Sequence, residues 1–266
     1  MTPEEFQNLI WNHDRAHRRD FPWRQTRDPY RIVVSEIMLQ QTQTYRVRPK
    51  YEAFIKALPT FKSLAGAPLQ QVLALWQGLG YNRRGLALKK IGEEITAKHQ
   101  GVLPDDPTVL ETLPGIGPAT ARSICAFAFN QPTIFIETNI RAVYLHHFFA
   151  DIGKVSDKEI LPLIEETLDR DNPREWYWAL MDYGVMLKKS NPNPSRRSKH
   201  HVKQSRFDGS NRQLRGQILR ALTEKPATRA ALLKLTTREK EAVEGALESL
   251  RAEGMIVKDG QNYRIA

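Results

Sequence analysis

The chain has 266 residues, enough to bury a sizeable core in one large domain or two. It carries 40 Lys and Arg against 30 Asp and Glu, a net charge of +10, with a pI near 9.7. That balance suits a polyanionic partner and says nothing about fold. One cysteine, Cys125, excludes an internal disulfide and any all-cysteine zinc or iron–sulfur site. It sits among Ala, Ile and Phe and reads as a small buried hydrophobe. The first residues lack the basic start and apolar core of a signal peptide, and no apolar run reaches membrane-spanning length. A cytoplasmic protein is expected.

In chain order, Thr2, Pro3, Glu4 and Glu5 open a helix, with a capping hydroxyl, a proline in the first turn and acids at the positive dipole end. Phe6, Leu9, Ile10 and His13 give it one face. A loop with two aromatics follows at 20–24. The segment 30–43 reads as a central helix, because Ile32, Ile37 and Leu39 are too apolar for a surface. Glu36 lies inside that pattern. A carboxylate there is costly unless it is paired or used. It either forms a buried ion pair, with Arg19 or Arg24, or serves chemistry. Residues 45–58 form another helix, and a helical pattern continues through Leu64, Val72, Leu73 and Trp76. The turn at 78–84 joins two glycines to Tyr81, Arg83 and Arg84. An aromatic beside cations can enter a base stack while the cations hold phosphates, or it can simply close a helix. An amphipathic helix over 86–98 ends at Gly101.

Residues 113–121 read LPGIGPATA. Two glycines between prolines predict a tight turn feeding a helix over 119–129. Gly115 and Gly117 are expected to take unusual dihedrals and to bare their amides, making a seat for a phosphate. An apolar run, 133–136, precedes Glu137, Thr138 and Asn139. Helices follow over 140–149, from Ser156 to about 169, and over 174–189. His146 and His147 are adjacent, so they point to different faces and do not form a paired metal site.

The composition changes at Ser190. Residues 191–206 are polar and strongly basic, either a solvated linker or a strap for phosphates. From Asn211 a compact pattern returns, with helices around Leu214–Ile218–Leu222, over 228–235 and over 236–254, then a hairpin around Asp259 and Gly260. Three helices and a β-wing predict a winged-helix-like domain. Its third helix mixes acids with bases, which is poor for groove reading, so the module is expected to bind a partner or brace the first domain.

Five blocks stand together in order: FPWR at 21–24, SEIMLQQTQ at 35–43, WQGLGYNRR at 76–84, LPGIGPATA at 113–121 and MDYG at 181–184. With them, residues 6–189 resemble the helix–hairpin–helix DNA glycosylase superfamily, and most closely MutY-type adenine DNA glycosylases. The resemblance implies a mainly α, two-lobed glycosylase fold over 1–189, a basic linker over 190–210, and the winged-helix-like domain over 211–266. It implies that Glu36 protonates the leaving base and handles the attacking water. Tyr81 would wedge into the duplex, and Gln41 and Thr42 would contact the estranged base. The hairpin, through Leu113, Gly115, Gly117 and Ala119, would clamp the phosphate backbone. Arg83, Arg84, Arg196, Arg197 and Lys199 complete the expected DNA contacts. Arg19, Trp23, Leu39 and Asn139 are the expected base pocket.

Four departures limit the resemblance. Glu137 stands where the family has an aspartate that stabilises the sugar cation. Ala119 stands where bifunctional relatives carry a Schiff-base lysine, so no lyase step by that route is expected. The four positions matching the iron–sulfur ligands are Lys188, Ser195, Ser198 and Gln204, so no metal and no cofactor are expected. The winged-helix-like module is not the family's 8-oxoguanine reader. The implied function is a monofunctional glycosylase acting as a monomer on double-stranded DNA with a mispaired or damaged base. Adenine opposite G or 8-oxoguanine is the expected target. A thymine or uracil glycosylase, or a non-catalytic DNA-binding protein on this scaffold, are the alternatives.

Overall fold

The computed structural model describes residues 1–150, 152–190, 193–200, 206–236 and 238–266. Fourteen α-helices, two short 3-10 helices and three short strands are present among them. The chain forms two compact units. The first holds residues 1–32, 105–112 and 116–203, the second residues 33–104, 113–115 and 204–266. No helix among the described residues is long and apolar enough to cross a membrane.

In the first unit, α1 (Pro3–His17) starts as its residues dictate. The Thr2 hydroxyl accepts from the Glu5 amide, and the Glu5 carboxylate accepts from the Thr2 amide. The short α7 (Pro107–Leu110) precedes the hairpin, and α8 (Pro118–Phe129) follows it. Asn130 closes α8 in the left-handed conformation. Then come α9 (Thr138–His147), α10 (Asp157–Thr167) and α11 (Pro173–Ser190). Phe6 of α1 anchors the core, with its ring 5.2 Å from that of Tyr144 on α9 and 6.0 Å from that of Trp176 on α11. The Tyr144 hydroxyl, fully buried, hydrogen bonds Thr167. Helices α9 and α11 approach so closely at Gly184 that a Cβ there would lie 2.4 Å from the Asn139 carbonyl oxygen.

Helix α2 (Pro29–Leu39) begins in the first unit and ends in the second. The second unit continues with α3 (Thr44–Ala57), α4 (Phe61–Gly66), α5 (Leu69–Trp76) and α6 (Arg83–Lys98). Phe54 and Trp76, both fully buried, meet edge to face at 6.4 Å.

The C-terminal module is α12 (Asn211–Glu224), β1 (Ala227–Thr228), α13 (Arg229–Lys234), α14 (Lys240–Ala252), β2 (Ile256–Asp259) and β3 (Asn262–Ile265). The strands form an antiparallel sheet in the order β1-β3-β2, with Asp259 opposite Asn262 across the Gly260–Gln261 turn. Helix, strand, two helices and hairpin is the element order of a winged helix. The strand β1 is too short to leave a periodic signal, and it exists because the edge of β3 offers it partners at Tyr263 and Asn262. Helix α14 starts later than the pattern at 236 suggests, with Glu239 as its cap and Thr237 outside the described residues.

This module does not stand apart. Leu214, Ile218, Leu219 and Leu222 of α12 share one apolar cluster with Leu69 and Leu73 of α5. Gln70 and Gln77 donate to the Thr223 carbonyl and hydroxyl, both at 2.7 Å.

The Gly184 contact is directly testable. Gly184→Ala drives a methyl into the start of α9 and is expected to cost roughly 1–3 kcal/mol by overpacking, read as a lower melting temperature.

Candidate active site and nucleic-acid interface

The last turn of α2 carries Glu36. It is half-buried, between the buried Ser35 and the fully buried Ile37 and Met38. A helix ending here leaves carbonyls without intrahelical partners. Arg84, in the first turn of α6, supplies the missing donors. Its Nη1 donates to the carbonyls of Ile37 at 2.8 Å and Met38 at 2.9 Å, and to that of Gln40. Its Nη2 donates to the Thr42 hydroxyl at 2.9 Å and to the Gly80 carbonyl at 3.2 Å. Burial pulls this guanidinium down to about 10, which leaves it charged at neutral pH. The expectation that Arg84 holds a backbone phosphate is therefore corrected: its Nη1 and Nη2 donors are spent inside the protein. The neighbouring Arg83 is exposed.

The chain leaves α2 through Gln41, an exposed non-glycine residue at φ 53. Such a conformation is sterically disfavoured and must be held in place. The Thr42 amide bonds the Leu39 carbonyl, and Arg84 supplies the rest of the hold. Leu39 is half-buried at the helix end. Gln40 reaches across to donate to the Gly115 carbonyl at 3.3 Å. Tyr81, half-buried, also has positive φ, at 46, after Gly78 at 90 and Gly80 at 75. Trp76 Nε1 fixes that loop by donating to the Gly80 carbonyl at 3.1 Å.

At the hairpin, Leu113 and Ile116 are buried while Gly115, Gly117 and Ala119 are exposed. Gly115 has φ 79, and a Cβ on it would meet that of Ala87 at 2.9 Å, so glycine is required there. Gly117 differs from expectation. It is an extended residue, φ −98, that caps α8, and nothing lies within 4 Å of where its Cβ would be. The fold would admit a side chain there, and glycine instead leaves the approach to the α8 amides open.

In the first unit, Glu137 caps α9. One carboxylate oxygen accepts from the amides of Asn139 at 2.7 Å and Ile140 at 3.0 Å, and the other accepts from Asn139 Nδ2 at 3.2 Å. Burial raises its pKa, against the pull of the Ile140 amide, the Lys188 charge and Asn139. Lys188 in turn is lowered by burial, while Glu137 raises it.

The FPWR loop is organised by a residue with no role in the sequence reading, Asp182 of α11. Its carboxylate accepts from the Arg19 amide at 2.9 Å, Arg19 Nε at 2.7 Å and both Arg24 terminal nitrogens at 2.8 Å. Burial pushes Asp182 up, but Arg24 and Arg19 outweigh it and its pKa lies below the ordinary range. Both cations considered as structural partners for Glu36 thus belong to Asp182. Arg19 keeps a side chain 31% exposed, whereas that of Arg24 is 6% exposed. Trp23, buried, lies stacked on Phe21 at 4.9 Å. An acid among the aromatics of α11, next to Tyr183, was the signal that could have found Asp182.

The basic strap divides. Residues 191–192 and 201–205, with Gln204 among them, lie outside the described residues. Arg197 turns inward, donating to the Leu145 carbonyl at 2.6 Å and to those of Phe149 and Ala150 at the end of α9. Its expected phosphate contact is corrected accordingly. Arg196 and Lys199 are exposed. Ser195 and Ser198, at two iron–sulfur ligand positions, are buried, and Ser195 Oγ donates to the Thr138 carbonyl at 3.2 Å. Val155 bridges to Ser198. Hydroxyls engaged with the backbone, plus a lysine, do not fit an iron–sulfur cluster.

A family model described as the HhH-GPD superfamily base excision DNA repair protein matches residues 34–168. The chain belongs to that superfamily. Adenine DNA glycosylase of Mycobacterium tuberculosis strain H37Rv is 32% identical over 282 residues, covering 94% of this chain and 90% of that one. The Buchnera aphidicola (subsp. Baizongia pistaciae) adenine DNA glycosylase is 36% identical over 186 residues, and there the chain spans 53% of the relative's length. Among solved structures, a thermostable thymine-DNA glycosylase aligns with TM-score 0.61 at 24% identity, over 71% of this chain and 88% of that one. That likeness speaks for the HhH-GPD fold.

Two measurements test the geometry. Asp182→Asn leaves Arg24 as an uncompensated buried charge and is expected to cost roughly 3–5 kcal/mol, read by denaturant unfolding. For Glu137, the raised pKa means the folded state holds its proton more tightly than the unfolded chain. Its stabilising share is complete below the ordinary 4.5 and is lost as pH rises through the folded value. The melting temperature of the wild type relative to Glu137→Gln should therefore be most favourable at acid pH, below the ordinary 4.5, and shrink as the pH rises above it.

Proposed function

We propose that this HhH-GPD protein is an adenine DNA glycosylase of base excision repair, hydrolysing the N-glycosidic bond of an adenine mispaired with G or 8-oxoguanine. The observation that carries it is the exit of α2. There the chain keeps a half-buried Glu36 and then a turn, Gln41–Thr42, held by Arg84 in a conformation it would not adopt alone. The adenine glycosylases it matches along nearly its whole length support the choice of base.

The target bond lies inside the duplex, so the base must leave the stack before it can react. Tyr81 fills the gap, and Gln41 and Thr42 meet the base left behind. Glu36 gives its proton to the departing base, which leaves with the bonding electron pair. Its carboxylate then takes a proton from the water that adds to the sugar carbon. Glu137 stabilises the positive sugar between those events through the charge of its carboxylate. The hairpin amides, Arg83, Arg196 and Lys199 hold the backbone and carry no sequence information. Ala119 offers no amine, so the product is an abasic site with the strand intact. The protein works as a monomer, in the cytoplasm, without a cofactor.

Glu36→Gln removes the proton donor and keeps the shape. It should slow adenine release from a mispaired duplex about 10²–10⁴-fold, while duplex binding by fluorescence anisotropy stays within twofold or so. Release at the wild-type rate would remove Glu36 from the mechanism. A panel of labelled mispairs, nicked by alkali after reaction, tests the base: release of thymine or uracil instead of adenine would overturn the substrate.

A further inference from the structure

The C-terminal module reaches Tyr81. Arg212, near the start of α12, donates from Nη1 to the Tyr81 hydroxyl at 2.6 Å, and its guanidinium carbon stands 5.2 Å from the ring centroid. The Arg84 guanidinium carbon is 5.6 Å from the same ring. The ring therefore has a charged plane on it and a directed hydrogen bond at its tip.

Neither end of this contact is loosely held. The Tyr81 backbone is fixed by the glycine turn and by the Arg84 amide, which donates to the Tyr81 carbonyl at 2.9 Å. Arg212 is fixed by α12, whose Ser210 cap accepts from the Gln213 amide and whose apolar face is sealed onto α5. The two Thr223 hydrogen bonds set the position of α12 along α5. The Tyr81 backbone does not by itself set the direction of the ring. Arg212 holds the ring at its tip through the hydroxyl.

From this we infer that Arg212 is a positioning residue for the wedge. It holds the Tyr81 ring in one orientation before DNA arrives, so that opening the duplex does not also have to order the ring. The module at 211–266 then belongs to the DNA-distorting machinery through one side chain, and not through reading a base. The inference rests on Tyr81 being the wedge.

The test is a double-mutant cycle in the full-length protein, with Arg212→Ala, Tyr81→Phe and the pair, alongside Tyr81→Ala. Each variant is read by single-turnover adenine release and by fluorescence of 2-aminopurine placed beside the target. Arg212→Ala should slow release roughly tenfold and lower the fluorescence rise to a similar degree, with the melting temperature unchanged. In the Tyr81→Phe background, which already lacks the hydroxyl, the further loss should shrink to about twofold or less. Wild-type release by Arg212→Ala, or faster opening, overturns the inference. So does an equal loss in both backgrounds with a salt dependence reduced by about one phosphate contact, because Arg212 would then bind DNA directly. Tyr81→Ala separates the two readings. If it is slow while Arg212→Ala is not, only this inference falls; if it releases adenine at the wild-type rate, the wedge reading falls with it.

Discussion

A single half-buried guanidinium ties the end of α2 to two loops of the second unit. Arg84 sits where α2 ends, and its donors satisfy the carbonyls that any terminating helix leaves behind. Those carbonyls belong to the turn carrying Glu36, and the same guanidinium binds Thr42 and the Gly80 carbonyl. A helix C-terminus is the negative end of its dipole, so a cation there is favourable before any specific contact is counted. Arginine suits the place better than lysine, since a planar fork can serve several acceptors at once. The cost is desolvation, visible in the lowered pKa. It is offset by the hydrogen bonds of the two terminal nitrogens. Release of Arg84 would free the loop at 40–42 and the loop at 78–81 together.

The first unit uses the opposite charge in the same way. Asp182 gathers Arg19 and Arg24, and through them the loop that carries Phe21 and Trp23. Glu137 sits at the other kind of helix end, where amides point outward and an anion is welcome. The longer side chain of glutamate folds back onto those amides. The carboxylate is thus held by the helix it starts.

What could be read along the chain was whatever depends on neighbours in sequence. Thr2 and Glu5 announce a helix start, Asp259 and Gly260 a turn, and the five motif blocks a superfamily. Glu36 was conspicuous because a carboxylate in an apolar helix violates the local pattern. What could not be read was the direction of long side chains. Arg83 and Arg84 are adjacent and identical, yet one is exposed and the other turns its terminal nitrogens inward, because only the second lies over the end of α2. Arg196 and Arg197 repeat this at the end of α9. Gly115 and Gly117 look equivalent in the sequence, but the close approach of Ala87 makes only the first obligatory. Asp182 stands within a motif with no local sign of its task, since its partners lie more than a hundred residues earlier.

The shared cluster of α5 and α12 has a consequence for how this chain can be rearranged. Leu69 and Leu73 serve two masters: they complete the helical lobe and they floor the C-terminal core. Cutting the chain before α12 would strip those side chains bare and leave an adhesive stripe on the surface of a basic protein. The terminal segment is consequently no modular appendage to be swapped for another reader. Any graft in its place must first present a matching apolar face to α5, and a lineage that discarded the segment would have to repaint α5 with polar residues at the same time.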